Sequence, residues 1–262
     1  MLNNKYQILV LSDLKKTTNC TLQTTVELAK MIQGNIEFFH VQKPTDVISS
    51  ESQLSAVRNI NQEYIKTDKK IKNLLEPISK NHDFNVSYRY AFGNVKDEIE
   101  GHITKMQPDV IVLGRRKGKA ISFIGDNITE FILKKFSGAI IIASEENAFE
   151  SNSNLSLGIL NDIEDSLNIN FAQNLIAKTE TPLKSFRIGN KRANQSMSDL
   201  IKDKKIVEYI FEDNSNAINT ISDYVSKNNV NLLCIDRGTG NSKKESYAKT
   251  AISRMNVSLL VT

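Results

Sequence analysis

The chain has 262 residues, 40% of them hydrophobic and 24% charged, with a formal net charge of +4. That length suits one large domain or two ordinary ones with a sizeable core. The mild charge, spread evenly over both halves of the chain, argues against a nucleic-acid-binding face, which carries a strong basic excess. No apolar run approaches the roughly 20 residues that cross a bilayer, and the start lacks the layout of a secretion signal, so no membrane contact and a cytoplasmic location are expected.

In chain order, "YQILVL" is a continuous apolar run typical of a strand covered on both faces. Leu22, Val26, Ala29 and Ile32 then fall at helical spacing, and "NIEFFHV" is a second strand. From Glu51 to Lys80 one stripe (Leu54, Val57, Ile60, Tyr64, Ile71, Leu74, Ile78) predicts a long helix with a packing face, part of which is free for an oligomer interface. Strand "NVSYRYAF", helix "NVKDEIEGHITKM", strand "DVIVLG", helix "NITEFILKKF" and strand "AIIIAS" complete the first half. The polar segment Glu145 to Leu155 reads as a linker.

The chain then repeats itself. "SLGILNDIEDSLNINFAQNLIAKTETPLKSFRIG" echoes the opening strand, helix and strand, with Asp162 answering Asp13. "SNAINTISDYVSKNNVNLLCIDRGTG" echoes "GNVKDEIEGHITKMQPDVIVLGRRKG", and "NVSLLVT" echoes "SGAIIIAS". Strands alternating with helices at this spacing imply parallel sheets with helices on both faces. The expected architecture is two tandem open α/β sheets, Rossmann-like, over residues 1–147 and 153–262, packed as a pseudo-dimer. The second copy is shorter, with its second helix cut back to two or three turns.

In an open α/β sheet, ligands bind beyond the carboxyl ends of the strands near the switch point. There the first strand ends at Leu11-Ser12-Asp13, the second at His40-Val41 and the fourth at Leu113-Gly114, before "RRKGKAISFIGDN". A first strand closing on Asp, a second on "HV", and "IVLG" leading to a glycine-bearing loop resemble the universal stress proteins, whose sheets belong to the adenine-nucleotide alpha-hydrolase-like class. The resemblance covers both copies, as in a tandem-domain member.

That resemblance implies a stress-response protein that binds ATP or AMP, with magnesium, in its first half. Leu11, Ser12, Asp13 and Val41 would touch the adenosine. Leu113, Gly114, Arg115, Lys117, Gly118, Gly125, Asp126 and Asn127 would touch the phosphates through backbone N–H groups. The loop departs from the family pattern. Lys117 stands at the second glycine, the span from Gly114 to Gly125 is two residues short, and Asp126 replaces a hydroxyl residue. A carboxylate about 4 Å from a phosphate costs roughly 4 kcal/mol before screening, which the arginines and lysines of the loop could offset.

Each motif also has a plainer reading. Asp13 could cap the following helix, "RRKGK" could be a solvated basic loop, and His40 is a strand-end residue with a satisfied ring. A nucleotide-independent protein-interaction scaffold is the alternative function. No nucleophile elbow, Walker loop or metal-ligand spacing occurs, so no enzyme activity beyond a slow ATPase, and no metal, is expected. Cys20 and Cys234 read as reduced thiols. The second copy, with Asp236 where the first has Gly114, is expected to hold no nucleotide. Protein partners are not specified. The resemblance implies that the exposed edges of the final strands, "AIIIAS" and "SLLVT", pair between the two halves, and a homodimer of tandem chains is the further assembly considered.

Overall fold

A computed structural model describes residues 6–44, 53–81, 86–115, 128–145, 155–161, 170–179, 181–189, 204–238 and 242–262. The element order is β1 (Tyr6–Ser12), α1 (Thr18–Ile32), β2 (Gly34–Gln42), α2 (Gln53–Asn81), β3 (Val86–Phe92), α3 (Val95–Met106), β4 (Val110–Gly114), α4 (Ile128–Lys135) and β5 (Ala139–Ala143). It continues as β6 (Leu157–Leu160), α5 (Asn170–Lys178), β7 (Leu183–Ile188), β8 (Ile206–Phe211), α6 (Ala217–Lys227), β9 (Leu232–Ile235), α7 (Ser242–Arg254) and β10 (Ser258–Val261). No helix among the described residues is long and apolar enough to cross a membrane.

The strands form one ten-stranded sheet in the order β3-β2-β1-β4-β5-β10-β9-β6-β7-β8. All pairs are parallel except β5 with β10, which run antiparallel with Ile141 opposite Leu260. From the seam outward each half has the same order, so the chain's internal likeness becomes a repeated topology joined edge to edge.

The continuous apolar runs follow from burial on both faces, where successive side chains serve different cores. Ile8, Val10, Val110, Val112, Ile141 and Leu260 point into a cluster under α1, α2 and α5. Leu9, Leu11, Ile111, Leu113, Ile140 and Leu259 point into a second cluster under α3, α4, α6 and α7. Both clusters run across the seam. Helix crossovers change face between β1 and β4, and again between β6 and β9, which sets a switch point in each half.

One expected packing face is only partly used. Ile71 and Leu75 are buried, but Val57 is 56% and Tyr64 48% exposed. The reason is length: 29 residues make about 43 Å of helix, whereas β3 has 7 residues and spans about 23 Å. The N-terminal part of α2 therefore overhangs the sheet. The expected trimming of the second helix in the second half lies outside the described residues, as does Asp162.

Polar contacts lock the seam. Ser144 N–H donates to Ser258 Oγ at 3.0 Å and Ser144 Oγ to the Asn256 carbonyl at 2.9 Å. Tyr6 meets Phe171 edge to face, with centroids 5.6 Å apart. Arg237, just beyond β9, reaches over the seam and donates to the carbonyls of Phe136 and Leu133 at the end of α4 and of Gly138 directly before β5.

Candidate functional site

At the switch point of the first half, β1 pairs with β2 as far as Ser12 opposite His40. Strand β2 runs two residues further, and Val41 and Gln42 pair with Ala91 and Phe92 of β3. On the β1 side, the main chain at Val41 therefore borders the crevice without a strand partner among the described residues. Asp13 stands next to it at the end of β1, and β4 closes the other wall with Leu113 and Gly114. Leu11, Ser12, Asp13, Val41, Leu113, Gly114 and Arg115 are thus brought to one rim. Lys117, Gly118, Gly125, Asp126 and Asn127 lie outside the described residues.

The loop after β1 is held by its own side chains. Ser12 Oγ accepts the Leu14 N–H at 3.1 Å and lies 2.9 Å from Thr18 Oγ1, while Leu14 takes a left-handed φ of 58°. Asp13 is not the helix cap that its sequence position suggests. Helix α1 starts at Thr18 with Thr17 at the cap position, and Asp13 Oδ1 instead accepts the Lys15 N–H at 3.0 Å, an Asx turn four residues upstream. The loop needs those residues to turn back over the strand ends, and the turn holds Asp13 at the rim.

Gly114 has a packing reason of its own. A Cβ there would lie 2.5 Å from Thr21 Oγ1 and 2.9 Å from Thr17 Oγ1, so the glycine admits the first turns of α1 against β4. Arg115 continues the ladder, its N–H donating to the Ala143 carbonyl at 2.9 Å. None of its guanidinium nitrogens has a hydrogen-bond partner among the described residues, and burial pulls its pKa down to about 10.

His40 is a satisfied residue of the floor. It is 7% exposed, its Nδ1–H donates to the Ser12 carbonyl at 2.8 Å, and its ring stacks on Tyr90. Burial lowers its pKa below the usual histidine value; the bond to Ser12 opposes this and the Lys70 charge adds to it. The folded state thus favours the neutral ring, so this contribution to stability is complete above the unfolded value near pH 6.5 and is lost as pH falls through the lower folded value. Urea unfolding between pH 7 and 5 is expected to show stability falling with acidity, and His40→Gln to lose that component of the slope.

Sequence reasoning missed two contributors. Lys70, on the exposed side of α2, donates to the Leu14 carbonyl at 3.0 Å and so brings a cation to the rim. Tyr90 OH donates to Gln42 Oε1 at 2.7 Å and steadies the end of β2; its desolvation raises the phenol pKa to about 12. Neither was signalled, because 56 residues separate Lys70 from Leu14 and 48 separate Tyr90 from Gln42. No group of three or more His, Cys, Asp or Glu among the described residues could hold a metal. Neither cysteine forms a disulfide among the described residues, and burial pushes the Cys234 thiol up to about 12.

The second half carries the matching crevice at Leu160, Asn161, Ile235 and Asp236, but its volume is about 20 Å³. Lys244 Nζ lies 3.9 Å from Asp236, whose other oxygen accepts the Gly238 N–H. Gly238, at φ +72°, sits so close to α7 that a Cβ would lie 2.5 Å from Glu245 N. Space for about one water contrasts with the several hundred Å³ of a ligand pocket.

An open, doubly wound α/β sheet with a crevice at its switch point defines the class of this protein. Residues 6–143 match the universal stress protein family, and the chain belongs to that family. Among solved structures it is similar to a universal stress protein from Archaeoglobus fulgidus DSM 4304, with a TM-score of 0.71 and 14% identity, over 98% of this chain and 95% of that one. A functionally unknown protein from Pseudomonas aeruginosa PAO1 is similar with a TM-score of 0.59 and 12% identity, over 98% of this chain and 92% of that one. At such identities these likenesses speak for the fold alone. No curated protein gives a match.

Proposed function

We propose that this is a stress-response binding protein whose first half holds an adenine nucleotide, ATP or AMP with magnesium, in the switch-point crevice without rapid turnover. The observation that carries the reading is the open main-chain edge at Val41 beside Asp13, a pairing suited to the edge of an adenine and a ribose hydroxyl. Lys70 and the buried guanidinium of Arg115, which has no hydrogen-bond partner among the described residues, supply positive charge toward phosphate. The repeated topology is read as two family domains, 1–147 and 153–262, the second structural because its crevice is filled by Asp236, Lys244 and Gly238. No catalytic residue is assigned.

Calorimetric titration with ATP, ADP and AMP, with and without Mg²⁺, is expected to give one site per chain, and Asp13→Ala to weaken it by about tenfold or more, the loss of a charged hydrogen bond. Absence of heat with all three nucleotides overturns the reading. A second reading, a nucleotide-independent scaffold, draws on Gly114, which the contacts with Thr17 and Thr21 explain without any phosphate. It expects an unchanged melting temperature at saturating nucleotide.

A further inference from the structure

The free edge of β3 carries a trough unrelated to the crevice. β3 ends the sheet, and helices α2 and α3 overhang it from either face to leave a cleft of about 480 Å³. Gly93 N–H donates inward to the Gln42 carbonyl. Because strand residues alternate the side to which both main-chain groups point, Arg89 and Ala91 also turn inward, while Tyr88, Tyr90 and Phe92 turn theirs outward, where no strand pairs with them among the described residues.

The walls of the trough have polarity. α3 presents Glu98, Gly101, His102 and Lys105 to it, one face at helical spacing. Glu98 lies at the end of β3, against Gly93, and Lys105 lies seven residues on, toward the strand's start. Neither has an ion-pair partner among the described residues. Between them Gly101 leaves open space, since a Cβ there would meet nothing within 4 Å. On the α2 side stand Tyr64, 5.2 Å from Tyr90, and Asp68. Asp68 is paired with Lys72 at 2.7 Å, as Arg89 of β3 is with Glu37 at 3.4 Å, so the lining charges other than Glu98 and Lys105 are locally matched. Beside Tyr64 stand Val57 and Ile65, which with it are three of the four exposed large hydrophobic side chains among the described residues, Ile65 at 68%.

We propose that this edge is a two-fold interface for a second copy of the chain, β3 pairing antiparallel with its counterpart. The charge pattern argues for this occupant over an unrelated peptide. A trough negative at one end and positive at the other is complementary to itself under a two-fold rotation. Glu98 then faces the partner's Lys105 at both ends, and Gly101 lets the two α3 helices approach at the middle. With Tyr90 opposite Tyr90, Arg89 falls opposite Ala91 and not opposite a second arginine. Tyr64 and Ile65 become covered, which accounts for an apolar ridge beside an open edge.

Sedimentation equilibrium of the full chain over about 1–100 µM, the range of a moderate interface, is expected to show a dimer. Lys105→Glu and Glu98→Lys each make the trough single-signed and are expected to weaken dimerisation by about tenfold or more, while an equimolar mixture of the two variants forms a heterodimer. Gly101→Trp, which enters open space in the folded chain, is expected to give a folded monomer by circular dichroism. A wild-type chain that stays monomeric throughout, or a dimer untouched by all three substitutions, overturns the proposal. So does failure of the mixed variants to associate. None of these readouts depends on nucleotide binding.

Discussion

Arg237→Met is expected to lower the unfolding free energy by about 2–3 kcal/mol, the worth of charged hydrogen bonds to partly buried acceptors, and the melting temperature by roughly 5–10 °C for a chain of this size. The guanidinium crosses the seam to the carbonyls of Leu133, Phe136 and Gly138. The Leu133 and Phe136 carbonyls lie at the end of α4, where the last carbonyls lack intrahelical donors and the helix dipole is negative, and Gly138 directly precedes β5. Methionine keeps the apolar stem but leaves the carbonyls without that donor inside the protein.

Arg115 supplies the control. It occupies the matching place after β4, its N–H bonded to Ala143 as that of Arg237 is bonded to Thr262. Its guanidinium nitrogens nevertheless find no partner among the described residues. A buried charge without a hydrogen-bonding partner is a cost that an apolar side chain removes. Arg115→Met is therefore expected to leave stability unchanged or raise it in the same urea titrations. Equal losses in both variants would show that seam contacts other than these hydrogen bonds dominate.

Gly114→Ala is expected to cost about 1–3 kcal/mol, as overpacking does where neighbours cannot shift. Both threonines that a Cβ would strike are buried, and the nearer hydroxyl is held. Thr21 Oγ1 donates to the Thr17 carbonyl at 2.9 Å, and Thr17 and Thr21 are 6% and 2% exposed. Combining Gly114→Ala with Thr21→Ala removes the nearest clash, so a double-mutant cycle should return a favourable coupling of about 1 kcal/mol or more. Gly101→Ala tests the opposite environment. With open space around it, the added methyl brings helix propensity and is expected to stabilise by up to about 1 kcal/mol.

The contrast between those two glycines was not legible in the sequence. Gly114 was conspicuous there as the start of a phosphate loop, yet its neighbours, Thr17 and Thr21, lie nearly a hundred positions away along the chain. Asp13 was found as a rim residue, but its role as a cap was inferred from a helix start that tertiary packing moved on to Thr18. The stripe on α2 was legible as a helix, whereas the exposure of Val57 and Tyr64 depends on how far the strands beneath extend. The loop segment from Lys117 to Asn127, where the sequence departs from the family pattern, lies outside the described residues.

By itself the sequence determined the elements, their alternation and the likeness of the two halves. Apolar period and strand-end residues are local features, and a strand covered on both faces must be apolar wherever it pairs. It also determined which strand ends meet, because right-handed crossovers leave few sheet orders. Only the tertiary structure decided the register of the seam, with Ile141 opposite Leu260, that Arg237 finds carbonyls while Arg115 finds no partner among the described residues, and that Lys70 reaches the rim. Those outcomes rest on distances between segments far apart in the chain, and no local pattern encodes such distances.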